Sequence, residues 1–125
     1  MEGDIGRCVV ALVIEEEHTN IGGTMHGGLC ALLVDNISAL ALLNNPATDL
    51  EQLGHGVSVN MELRYLKAAK LGEEILIEAN VLKQGRTLAF LEVELRKRST
   101  NELLVKGSHT VCRVPGRSPA APPLH

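Results

Sequence analysis

The longest apolar stretch of the chain runs over residues 29–43, and its polar interruptions are Cys30, Asp35, Asn36 and Ser38. A helix built from such a segment is apolar nearly all round, which is typical of a buried helix. We therefore predict a core helix over about 26–43, ended by the Asn-Asn-Pro sequence at 44–46. Within that helix Asp35 is expected to be a buried acid, and buried acids cluster at functional sites.

Strand-like segments flank this helix. One β-branched and aliphatic segment precedes it at 7–15, and four follow at 55–65, 73–83, 87–98 and 102–114, separated by short turns rich in glycine and small polar residues. Alternation in the first of these four predicts one face formed by Val57, Val59, Met61, Leu63 and Tyr65, and another formed by Ser58, Asn60, Glu62 and Arg64. The pattern indicates an α+β fold, with one long central helix wrapped by a curved antiparallel sheet of five to six strands. An exposed sheet edge favours pairing with a second copy.

Length and charge narrow the class of protein. The chain has 125 residues, 45% of them hydrophobic, which suits a single domain at 1–114 followed by a proline-rich, disordered tail at 115–125. A net charge of -3 argues against a nucleic-acid partner, and Tyr65 and Phe90 are too few aromatic residues for a base-stacking platform.

Several features predict a cytoplasmic protein without a transmembrane segment. The 29–43 run is shorter than the roughly 20 residues that span a bilayer, and the acidic start at 1–4 is unlike a secretory signal. Three cysteines without metal-ligand spacing fit a reducing compartment. His18, His55 and His109 also lack metal-site spacing, so we expect no metal and assign them to surface or turn positions.

A set of motifs resembles the hotdog-fold acyl-CoA thioesterases, and within them the thioesterase superfamily member 2 (acyl-CoA thioesterase 13) subgroup. The motifs are Asn20, His26-Gly27-Gly28, Val34-Asp35-Asn36-Ile37-Ser38, Gly56-Val57-Ser58-Val59 and Leu82-Lys83-Gln84-Gly85-Arg86-Thr87, and the resemblance covers roughly 9–111. It implies hydrolysis of acyl-CoA to a free fatty or aryl-acyl acid and coenzyme A. No cofactor is implied, because coenzyme A is part of the substrate. The family also implies a homotetramer built as a dimer of dimers, with mitochondrial association as a possible location.

The resemblance gives the catalytic residues chemical roles. Backbone N–H groups at a helix N-terminus, at Gly27, are suited to polarise the thioester carbonyl, and the Asn20 amide would add a second donor. Because Asp35 lies about 12 Å along the helix from its first turn, the family's interfacial sites imply that it faces the His26-Gly27 turn of the other subunit. Asp35 would act there as a general base or a nucleophile, and Ser58 would hold the same water. His26 would polarise the substrate or only fix the turn.

The subgroup also implies a set of contacts to the coenzyme. They map to Asn60, Tyr65, Lys83, Gln84, Gly85, Arg86, Thr87 and Leu88, and a glycine turn with two cations suits phosphate. Cys112 stands where relatives can carry a histidine that contributes to this contact.

Other interpretations stay open at this stage. The two glycines could form an ordinary helix-starting turn, Asp35 could be a structural acid bonded to backbone amides, and Ser58 could be a surface serine. The main functional alternative is a non-catalytic acyl-CoA-binding or regulatory hotdog protein. A hotdog dehydratase would need a histidine beside the helical acid, where this chain has Asn36 and Ile37.

Overall fold

The computed structural model describes residues 5–44 and 57–112. The elements in chain order are β1 (Arg7–Val13), a short 3-10 helix (Glu16–His18), α1 (Gly27–Leu43), β2 (Val57–Tyr65), β3 (Glu74–Gln84), β4 (Leu88–Lys97) and β5 (Leu103–Cys112). The predicted helix and strands are confirmed to within two residues at each described boundary, and the 3-10 helix was not predicted. The start of the 55–65 strand, His55 and the tail at 115–125 lie outside the described residues.

The five strands form one antiparallel sheet in the order β1-β3-β4-β5-β2, and α1 packs on one face of it. The helix lies mainly against β1, β3, β4 and β5, which leaves the inner face of the edge strand β2 uncovered. The inward side chains of the central strands are fully buried, among them Ile75, Ile77, Leu91, Val93 and Leu95. No helix among the described residues is long and apolar enough to span a bilayer.

The helix is buried along one stripe only. That stripe consists of Cys30, Val34, Ile37, Ser38, Ala41 and Leu42. The opposite stripe, here called the open helix face, is exposed and consists of Leu32, Asp35, Asn36, Ala39 and Leu43. The prediction that Asp35 is buried is therefore wrong for the single chain, because one sheet covers only one side of an almost uniformly apolar helix.

A β-bulge changes the face on which Ser58 lies. Ser58 pairs with Val111 of β5, Asn60 pairs with Thr110, and Val59 is the extra residue between them. Because directly paired residues share a face, Ser58 lies with buried Val111 on the helix side of the sheet, while Asn60 lies on the outer side. The predicted alternation, which put Ser58 and Asn60 on one face, is wrong at this point since a bulge shifts the phase by one residue.

Ion pairs cover the outer face of the sheet. They include Arg7–Glu78, Arg96–Glu94, Arg98–Glu74 and Lys106–Glu92. The two cations of the hairpin between β3 and β4, Lys83 and Arg86, form no ion pair within the part of the chain that the structure describes.

Candidate active site

The start of α1 is built for close approach to its backbone. His26 is the N-cap residue and its side chain caps nothing, so the N–H groups of Gly27, Gly28 and Leu29 have no acceptor within the helix. A Cβ on Gly28 would meet nothing within 4 Å, and one on Gly27 would meet only Tyr65 at ordinary contact distance, 3.6 Å. Neither glycine has a positive φ. Neither packing nor backbone strain among the described residues thus requires glycine at these two positions. Inside a helix, each glycine lowers stability by about 1 kcal/mol relative to alanine.

Tyr65 fixes this helix start from the end of β2. Its hydroxyl donates a hydrogen bond of 2.8 Å to the carbonyl oxygen of Gly27. The backbone N–H of His26 donates to the carbonyl of His18, which ties the same turn to the preceding loop. The exposed His26 side chain is left at the mouth of the turn.

Asn20 organises the loop before the helix. Its Oδ1 accepts hydrogen bonds from the Gly22 and Thr24 amides at 3.0 and 3.3 Å, and its Nδ2 donates to Thr24 Oγ1 at 3.0 Å. The carbonyl oxygen is thus committed to the loop, whereas the amide nitrogen has a second N–H. The role of Asn20 as a donor to substrate stays a prediction.

Ser58 and His109 form a pair on the inner side of the sheet. Ser58 Oγ and His109 Nε2 are joined by a hydrogen bond of 2.7 Å. His109 is 3% exposed, and its Nδ1 is buried without a hydrogen-bond partner among the described residues. The assignment of His109 to a surface or turn position is therefore wrong. It follows Val105 and Gly107 along the buried face of β5, and this alternation is the sequence signal that could have found it.

The Asp35 carboxylate lies within electrostatic range of His109. Val34 packs on Gly107, where a Cβ would come within 3.1 Å of Val34 Cγ2, and His109 is the next residue on that face of β5. Burial lowers the pKa of His109, and the Asp35 carboxylate is close enough to oppose that shift. The His109 ring is therefore neutral near pH 7. Whether its Nε2 donates to the Ser58 hydroxyl or accepts from it, the hydroxyl keeps further hydrogen-bonding capacity for a water molecule.

Two groups of predicted residues thus lie at opposite ends of the chain's own β2. Gly27 is bonded to Tyr65 at its end and Ser58 lies near its start, while Asp35 is eight residues along α1 from Gly27, a rise of about 12 Å. Ser58 and Tyr65 are seven positions apart along the strand, a distance of up to about 23 Å. One chain alone therefore does not bring Asp35 to its own Gly27 amide.

The predicted coenzyme-binding residues divide in the same way. One row of paired residues crosses the sheet from β2 through β5 and β4 to β3, and it consists of Asn60, Thr110, Phe90 and Lys83. This row places Asn60 in line with the hairpin between β3 and β4. That hairpin carries the predicted contacts Gln84, Gly85, Arg86, Thr87 and Leu88. Leu88 pairs with Cys112 at that same end. Tyr65 lies at the opposite end of β2, so the structure does not bring it to the hairpin within one chain.

Known proteins resemble this chain in sequence and in fold. The thioesterase superfamily model matches residues 22–104. Acyl-coenzyme A thioesterase 13 from Homo sapiens is 51% identical over 105 residues, which cover 84% of this chain and 71% of that protein. Zebrafish thioesterase superfamily member 2 superposes with a TM-score of 0.83 at 45% identity, over 91% of this chain and 79% of that one.

A further solved structure is a thioesterase protein from Streptococcus pneumoniae with coenzyme A. It has a TM-score of 0.79 at 28% identity and covers 94% of this chain and 85% of its own. These neighbours and the helix packed on a five-stranded antiparallel sheet confirm the hotdog fold. With two thirds of its residues in the family match, this chain belongs to the thioesterase superfamily.

Proposed function

We propose that this protein hydrolyses acyl-CoA thioesters to a free acid and coenzyme A. The observation that carries the proposal is the start of α1, where two glycines leave backbone N–H groups open although nothing within the described chain requires glycine there. Membership of the thioesterase superfamily and 51% identity to a human acyl-coenzyme A thioesterase support the same reaction.

The thioester carbonyl oxygen binds at the Gly27 amide. The positive end of the helix dipole lies behind this N–H, so negative charge that develops on the oxygen during attack is stabilised. Asn20 supplies a second donor through its remaining amide hydrogen, and the exposed His26 imidazole orients the carbonyl or the sulfur. Once the tetrahedral intermediate collapses, the carbon–sulfur bond breaks and coenzyme A leaves as a thiolate.

Asp35 activates the water. Its carboxylate accepts a proton from the attacking water as a general base, while the Ser58 hydroxyl, held by His109, fixes the position of that water. His109 does not touch the substrate in this scheme and acts by positioning Ser58. A carboxylate beside an ordered hydroxyl has no use in mere binding of the coenzyme, which favours the hydrolase over the non-catalytic acyl-CoA-binding alternative.

The complete site is shared between two chains. β2 is the edge strand of the described sheet, and the open helix face beside it exposes Leu32 at 53%, while Val57 and Val59 of β2 are 56% and 59% exposed. Antiparallel pairing of two β2 strands about Met61, their midpoint, sets the start of each strand against the end of the other. Asp35 and Ser58 of one chain then face Gly27 of the partner subunit.

Two further points complete the proposal. Lys83 and Arg86, which form no ion pair with any described residue, bind the coenzyme phosphates, with Asn60 in the same row of the sheet and Tyr65 reaching the ligand from the partner subunit. Dimers of this kind associate further into a tetramer. The buried thiols Cys8 and Cys30 support a reducing compartment such as the cytoplasm.

The test compares the unmodified protein with Asp35→Asn. We expect the protein to consume acyl-CoA and Asp35→Asn to lower kcat by at least roughly 100-fold, while KM changes little. Glu17→Gln, which neutralises an exposed carboxylate on the 3-10 helix, is the matched control and should retain full activity. Unchanged turnover in Asp35→Asn would remove Asp35 from the reaction, and acyl-CoA binding without any turnover would show a binding protein instead.

A further inference from the structure

His18 ends the short 3-10 helix and has no part in the proposed reaction. Its side chain is 21% exposed. The Nδ1 atom of the ring accepts a hydrogen bond of 2.9 Å from the backbone N–H of Glu15, while the N–H of His18 donates one of 2.9 Å to the carbonyl oxygen of Glu15. Two hydrogen bonds in opposite directions therefore join these two residues.

Glu15 connects this turn to the core of the protein. It directly follows Ile14, which is 1% exposed. The N–H of Ile14 donates to the carbonyl oxygen of Glu73 at 2.9 Å, and the carbonyl oxygen of Ile14 accepts from the N–H of Gly72 at 2.8 Å. Buried backbone that is hydrogen-bonded in this way opens rarely. The backbone at Glu15 is therefore a fixed point to which the ring of His18 is attached.

The residues after His18 fold back on themselves in a segment here called the donor loop (residues 18–26). Three residue pairs are joined across it by backbone bonds or a β-bridge, namely His18–His26, Thr19–Met25 and Asn20–Thr24. His18 lies at the open end of the loop, where its carbonyl oxygen accepts from the His26 N–H at 2.9 Å. Asn20 lies near the tip, and Gly27 directly follows His26. Both proposed donors to the thioester carbonyl therefore depend on how this loop is held.

We propose, on the basis of the proposed function, that His18 is a positioning residue for the two donors that bind the thioester carbonyl. Its ring fastens the donor loop to the fixed backbone at Glu15, so the Gly27 N–H and the Asn20 amide keep their distances to the carbonyl oxygen. Misplacement of such groups by about 1 Å lowers the rate on the order of 100-fold. The ring itself does not touch the substrate.

The position of the acceptor atom explains the choice of side chain. Because Nδ1 accepts a hydrogen bond, it carries no proton, and the proton of a neutral ring is then on Nε2. Nε2 lies 3.9 Å from Glu17 Oε1, beyond hydrogen-bond distance, and that carboxylate is 71% exposed, so its charge adds little. The turn thus requires an acceptor atom three bonds from Cα. Asparagine also has one, whereas leucine has the same shape with a methyl group in that place.

His18→Leu and His18→Asn form a matched pair that differs in the acceptor, and both should fold because the turn is largely exposed. We expect His18→Leu to lower kcat about tenfold to 100-fold and to change KM less than about twofold, since the displaced donors act mainly in the transition state. His18→Asn should keep kcat within about threefold of the unmodified protein. The control is Thr100→Val, which removes the acceptor of the 3.3 Å hydrogen bond from the Glu102 N–H in a distant turn and should change neither constant.

Hydrogen exchange distinguishes failure of the positioning role from failure of the proposed function. Exchange of the His26 N–H is followed by NMR without substrate, and it should be at least about tenfold faster in His18→Leu but nearly unchanged in His18→Asn. Equal losses of kcat in the two variants, or unchanged exchange of this N–H in His18→Leu, would overturn the role of His18. Absence of turnover in the unmodified protein would reject the hydrolase, and the exchange rates would then still decide whether His18 fastens the donor loop.

Discussion

A mixture of two inactive variants tests whether the site is shared. Asp35→Asn removes the base, and Gly27→Val blocks the helix start with a side chain that the chain itself tolerates, because the nearest atom to a Cβ at this position is Tyr65 Oη at 3.6 Å. In a dimer formed from one copy of each variant, one site carries both defects. The other site draws intact Asp35 from one chain and intact Gly27 from the partner subunit.

The geometry fixes the size of the recovery. Random pairing of equal amounts gives about half heterodimers, each with one of its two sites intact, so the mixture should have about 25% of the unmodified activity. A mixture of unmodified chain with the double variant also should have about 25%, since its heterodimers contain no intact site. If Asp35 instead served its own Gly27, the two mixtures would have about 0% and 50%. The pair of values therefore distinguishes the two arrangements.

The assay co-refolds differently tagged chains and follows the loss of thioester absorbance, which needs no thiol reagent. Light scattering establishes that the mixtures contain dimers or tetramers. Each variant refolded alone provides the background. Absence of recovery in correctly paired heterodimers, or full activity in a monomer, would refute the shared site and require Asp35 to act within its own subunit.

Two further predictions concern binding and pH. Lys83→Ala and Arg86→Ala should each raise KM for acyl-CoA about threefold to tenfold at low salt with little change in kcat, because phosphate contacts stabilise ground and transition states alike. The control is Lys70→Ala, which removes an exposed cation away from the hairpin. A constant KM in the two hairpin variants would place the coenzyme elsewhere. Burial holds the pKa of His109 below its usual 6.5 and outweighs the opposing effect of the Asp35 charge. As the pH falls through 6.5, this histidine therefore takes up a proton in the unfolded chain but not in the folded chain. Tm should therefore fall as the pH is lowered from about 7.5 to 5.5, a window above the range in which Glu73 and Glu78 titrate. The fall should be smaller in His109→Gln. Equal slopes of Tm against pH in the two proteins would contradict this account.

Local patterns were sufficient for most of the fold. The 29–43 apolar run and the alternating strands depend on neighbouring residues, so the helix and five strands are placed within two residues of their described ends. The position of the Gly27 turn at the helix start follows from the same pattern. The link between this turn and Asp35 and Ser58 comes from the family motif and stays a prediction.

The surroundings of the site depend on features that periodicity does not contain. Whether Asp35 is buried depends on how much of the helix one sheet covers, and in a single chain the open helix face stays exposed. His109 seemed unremarkable because its partner Ser58 is 51 residues away in the sequence. The phase of β2 around Ser58 depends on an extra residue in the ladder, which strict alternation cannot show.

The bulge at Val59 makes the position of Ser58 a matter of strand register more than of side-chain identity. Val59 has no partner on β5 and is 59% exposed, so exchange of its side chain alters neither the register of the strand nor the side to which Ser58 points. Deletion of Val59 would join Ser58 directly to Asn60 and leave Ser58 paired with Val111 on the helix side of the sheet. A slip that straightens the ladder with Val59 present would instead set Val59 against Val111 and turn Ser58 away from His109 while leaving every side chain of the site in place. This strand is thus expected to tolerate substitution or loss of the bulged residue and to lose the Ser58–His109 pair when the register slips.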